Sequence, residues 1–80
     1  MDQNTLRIKA LNPVIKAKTT AIIEEISNFE GVLSVELNHD DSYSFTFNVD
    51  INENCNATEL TGKIRELLKF HSSSILAINK

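Results

Sequence analysis

Two histidines, one cysteine and a few clustered charges are the side chains whose types and spacing could do chemistry in this sequence. His39, followed by Asp40 and Asp41, and the distant His71 together offer imidazole and carboxylate donors of the kind that hold divalent metals. No ligand-spacing motif accompanies them, and two solvent-facing loop histidines explain the same residues. Cys55 lies in a polar stretch beside Asn54 and Asn56. A reactive thiol there would draw on the nearby start of a helix to lower its pKa, but Asp50 and Glu53 oppose that and no base is close in sequence. Glu24-Glu25 and Asp40-Asp41 are sequence neighbours rather than positioned pairs, and no base, oxyanion donor set or apolar cleft goes with them. They read as solubilising and turn-forming residues, and Glu36, Asp40, Asp41 and Asp50 could equally guard a hairpin against edge pairing. Arg7, Lys9, Lys16 and Lys18 make the N-terminal third basic while the middle of the chain is acidic. Such a dipolar surface orients a charged partner, although a solvated helix face would look the same.

The elements that would position these residues follow from hydrophobic periodicity. Leu6, Ile8 and Ala10 alternate with Thr5, Arg7 and Lys9, which predicts a half-buried strand. Asn12-Pro13 breaks it, with Asn12 as the expected helix cap and Pro13 at the first helical position. From about Val14 to Phe29 the period changes. Ile15, Ile22, Ile26 and Phe29 form one helical stripe, which Gly31 is expected to end. Leu33, Val35 and Leu37 then alternate as a second strand, His39-Asp40-Asp41-Ser42 forms a turn, and Tyr43, Phe45, Phe47, Val49 and Ile51 alternate as a third. Asn56 with Glu59 resembles a capping box for a second helix carrying Leu60, Ile64, Leu67 and Leu68, with Gly62 off the stripe. Ser72-Ser73-Ser74 ends that helix, and Ile75 to Ile78 gives a last short strand.

The order strand, helix, strand, strand, helix, strand predicts an α+β, ferredoxin-like βαββαβ sandwich over residues 1–80, a four-stranded antiparallel sheet with both helices on one face. In that topology the connections alternate between the ends of the sheet. The loop after the first strand, the hairpin and the loop before the last strand share one end, and Cys55 lies at the other, about one strand length away. The aromatic series Tyr43-x-Phe45-x-Phe47 could stack RNA bases if it faced outward. Its alternate positions are Ser44, Thr46, Asn48 and Asp50, so the aromatics are expected to face the helices and the open face to repel phosphates.

Composition bounds the rest. Eighty residues with 11 acidic and 8 basic side chains, a net charge of −3 and 41% hydrophobic residues describe an ordinary folded domain. One cysteine excludes an internal disulfide and any site built from paired thiols. The acidic balance argues against nucleic acid as a partner. No apolar run reaches the roughly 20 residues of a membrane span, no signal peptide or lipidation signal is visible, and a cytoplasmic location is expected.

Phe29-Glu30-Gly31-Val32, the core positions Ile22 and Ile26, the run Val35-Glu36-Leu37-Asn38, and Leu60-x3-Ile64-x2-Leu67 followed by Phe70 resemble the heavy-metal-associated domain, the fold of small copper chaperones. That family carries Cys-x-x-Cys in the loop after its first strand. Here the resemblance puts Ile15 and Lys18 at those positions, which offer a hydrocarbon and a cation where soft copper needs thiolates. It therefore implies the scaffold and its tendency to dock on other domains without the metal chemistry. An acylphosphatase-like enzyme shares the topology but needs an Arg-bearing phosphate loop, and Leu11 to Lys16 has neither Arg nor Gly. An ACT-like ligand-sensing regulatory domain, acting as a dimer, is a further alternative. The expectation is a non-catalytic binding protein with no cofactor and no metal, whose partner is a protein, itself included as a homodimer. The contact surfaces are expected at Asn12, Pro13, Val14, Ile15, Lys16 and Lys18 in the first loop and at Arg7, Lys9, Thr5, Ser44, Thr46 and Asn48 on the open sheet face. The alternative metal site is His39 with His71.

Overall fold

A computed structural model describes residues 4–13, 15 and 18–79, with Asn79 described by its backbone alone. Strand β1 (Thr5–Leu11) leads to helix α1 (Lys18–Ser27), then to β2 (Val32–Asp40) and β3 (Ser44–Ile51), helix α2 (Ala57–Phe70) and β4 (Ile75–Asn79). The sheet is antiparallel throughout, in the order β2-β3-β1-β4. This is the ferredoxin-like βαββαβ arrangement expected from the sequence.

Alternation builds the core. Leu6, Ile8 and Ala10 of β1 and Phe45, Phe47, Val49 and Ile51 of β3 are buried on one face. Ile22 and Ile26 of α1 and Leu60, Ile64 and Leu68 of α2 join them in a single cluster, so both helices cover that face. Phe45 and Phe47 stack with ring centroids 5.5 Å apart. The opposite face carries Arg7 and Lys9, both exposed.

Helix α2 is the element whose ends are best explained by local chemistry. The Asn56 side-chain oxygen accepts from the Thr58 and Glu59 amides at 3.0 and 3.1 Å, satisfying two donors the first turn leaves open. Gly62 lies in this helix, and a Cβ built on it would meet nothing within 4 Å. Replacing Gly62 by alanine is therefore expected to stabilise the fold by about 0.5–1 kcal/mol, by removing backbone freedom from the unfolded chain. A urea midpoint that stays level or falls would refute that expectation.

Several sequence expectations are corrected. Helix α1 starts at Lys18, not near Val14, and Asn12 does not cap it. The side-chain nitrogen of Asn12 instead donates to the Asp41 carbonyl, tying the first loop to the hairpin. Helix α1 ends at Ser27, and Gly31 serves the turn before β2 rather than the helix end. Leu33 is 67% exposed, because the ladder shifts register between Val32 and Ser34 and turns Leu33 outward. His39 and Asp40 belong to β2, and the turn moves to residues 41–43. Tyr43 consequently lies outside β3 and is 67% exposed, not part of the inward aromatic row. Asp50 sits in an interior strand and so guards no edge. It accepts from the hydroxyls of Thr5 on one side and Ser34 on the other, tying three strands together.

Candidate functional site

The loops at one end of the sheet are stitched to each other through Leu11 and Asn12. The Leu11 amide donates to the Ser74 carbonyl at 2.9 Å, and the Asn12 amide to the Tyr43 carbonyl at 3.0 Å. The Asn12 side chain reaches the Asp41 carbonyl at 2.6 Å, and the Ser73 hydroxyl donates to the Leu11 carbonyl. Backbone from the first loop, the hairpin and the loop before β4 is thus held in one arrangement. Such an end loses little conformational freedom when something binds it.

At this end three large apolar side chains are exposed: Ile15 of the first loop (59%), Tyr43 of the hairpin (67%) and Phe70, the last residue of α2 (81%). Single exposed apolar residues are ordinary, but these three come from separate elements that meet at one pinned end, and none is covered by a described residue. Lys18, Asp40 and Asp41, on the elements that meet at this end, are exposed as well.

Asp41 fixes the hairpin. Its carboxylate accepts from the Ser44 and Tyr43 amides at 2.8 and 2.9 Å, with the His39 ring 3.3 Å away. The Ser44 and then the Tyr43 amide bonds hold its pKa below the ordinary 3.8, with a smaller help from His39 against slight desolvation. Because the folded pKa is depressed, the contribution is present above the unfolded value and lost as pH falls through the folded one. A carboxyl NMR titration is expected to place the Asp41 midpoint below 3.8, with the Tyr43 and Ser44 amide signals moving alongside it. A midpoint above that value would remove Asp41 as the anchor of the turn.

The expected site residues fare differently. Ile15 and Lys18 are exposed at the pinned end, and the Lys18 amide donates to the Ile15 carbonyl, so one turn joins them. Val14 and Lys16 lie outside the described residues. Pro13 is buried and Asn12 is engaged with the hairpin, so neither offers a contact surface of the kind expected. Arg7 and Lys9 are exposed on the open face, whereas Ser44, expected there too, is 4% exposed, with its amide held by Asp41.

His39 and His71 are each set against a different carboxylate. His39 lies on the edge strand against Asp41, and His71, at the end of α2, pairs with Glu25 of α1 at 3.2 Å. Among the described residues no group of three or more His, Cys, Asp or Glu side chains is placed to hold a metal. Glu25, read as a solubilising residue, is thus a link between the two helices. Cys55 is a free, half-buried thiol at the opposite end, packed against Gly31. It borders an open polar depression of about 480 Å³ whose lining includes Glu30, Asn54, Glu59 and Lys63.

Phe70 and Tyr43 were not singled out from sequence as contact residues. Phe70 follows Leu68 by two positions, roughly 200° around a helix, which takes it off the buried stripe. That angle was the available signal. Tyr43 had none, because the alternation of β3 runs straight through it.

No described helix is long and apolar enough to cross a membrane. Compared with protein-family models and with curated proteins, the sequence matches none.

Proposed function

We propose that this chain is a small, cytoplasmic, non-catalytic binding protein, built on a heavy-metal-associated-like scaffold that has lost its metal loop. It acts by docking the pinned end of its sheet onto another protein. The observation that carries this reading is the exposure of Ile15, Tyr43 and Phe70, from the first loop, the hairpin and the end of α2, at the end where the loops are hydrogen-bonded together. Rigid apolar and aromatic anchors inside a polar rim are what protein interfaces use for most of their affinity. Ile15 and Lys18, at the positions where the resembled family keeps thiolates, supply one such anchor and an exposed cation in place of a metal site.

The test is to compare the wild-type chain with I15S/F70S as immobilised baits in an extract of the source cells. Both substituted side chains are more than half exposed, so the variant is expected to melt with the wild type. A partner recovered by wild type and weakened at least about tenfold by the variant supports the reading, since two anchor losses of 1–2 kcal/mol each suffice. Retention of the same partners by the variant, or recovery of none by wild type, overturns it.

A further inference from the structure

We draw no further inference here: the strongest candidate, the open polar depression between Gly31, Cys55 and the start of α2, rests on a lone half-buried thiol and a helix N-terminus whose Thr58 and Glu59 amides Asn56 already caps, and nothing among the described residues points to a ligand there.

Discussion

Replacing Gly31 by alanine is expected to cost this domain about 2–5 kcal/mol. Two independent effects add at that position. The backbone of Gly31 has φ +91°, a region where a β-carbon costs roughly 1–2 kcal/mol. A Cβ placed there would also stand 2.7 Å from the Cys55 sulfur and 3.0 Å from its Cβ. The sulfur ends a side chain of one rotatable bond and the Cβ is fixed to the backbone, so the contact can be relieved only by moving the loop. That loop has little freedom, because the Asn52 amide donates to the Gly31 carbonyl at 2.7 Å and the Cys55 amide to the Asn52 carbonyl at 2.9 Å. Overpacking of this sort costs about 1–3 kcal/mol. Set against the low end of the roughly 5–15 kcal/mol available to a small domain, the sum should lower the melting temperature by about 10–30 °C. Urea unfolding of G31A, C55A and the double variant separates the two effects. Removing the sulfur should make the double variant more stable than the sum of the single losses predicts, leaving the roughly 1–2 kcal/mol cost of φ together with the 3.0 Å contact to the Cβ that alanine keeps. A G31A loss below about 0.5 kcal/mol, or strict additivity, would mean that the close approach of the two loops is not as described.

The same pair shows what sequence could and could not reveal. Gly31 announced a turn, but nothing in the spacing told that its missing side chain makes room for Cys55, since the two are brought together only by the folded loops. Alternation located β1 and β3 and helical spacing located α2, because each of these elements has its periodicity enforced by burial of one face. Where burial is weak the pattern misleads. Leu33, Val35 and Leu37 alternate perfectly, yet β2 is an edge strand, where a bulge costs little and turns Leu33 out. The start of α1 was misplaced for a related reason. Asn12 satisfies the local rule for a cap, but its side chain is oriented by a hairpin carbonyl 29 residues away in sequence, and α1 begins only at Lys18.

The candidate site was legible in its location and not in its members. Strand parity alone places the first loop, the hairpin and the loop before β4 at one end, and the hydrogen bonds through Leu11 and Asn12 bear that out. Parity likewise sets Cys55 at the far end. Which side chains stand free there depends on where α2 stops and β3 starts, and element ends are the least determined feature of a sequence. Pro13 and Ser44 were expected on the surface and are buried, while Phe70, expected in the loop before β4, is the last residue of α2 and the most exposed large apolar side chain among the described residues.

Phe47→Ala is expected to cost about 3–5 kcal/mol, while Tyr43→Ala should change stability by no more than about 0.5 kcal/mol. The two aromatics have the same parity along one segment, and a sheet that continued through both would bury both. Phe47 is fully buried, in register with Ile8 of β1 and Leu37 of β2, and stacked at 19° on Phe45. Its removal leaves a ring-sized void between the sheet and the helices that close packing elsewhere cannot fill. For a domain of this size that is most of the folding free energy, so F47A should show a strongly reduced melting temperature or no cooperative transition at all. Tyr43 precedes the strand, its amide is held by the Asp41 carboxylate and its carbonyl by the Asn12 amide, and its ring is 67% exposed. Truncation at Cβ leaves both backbone bonds in place, and the freed ring takes no core contact with it. Thermal unfolding of the two variants side by side decides the matter. A Y43A loss approaching that of F47A would return Tyr43 to the core and remove it from the docking end, whereas a neutral Y43A that weakens partner capture identifies a ring kept exposed for binding rather than for folding.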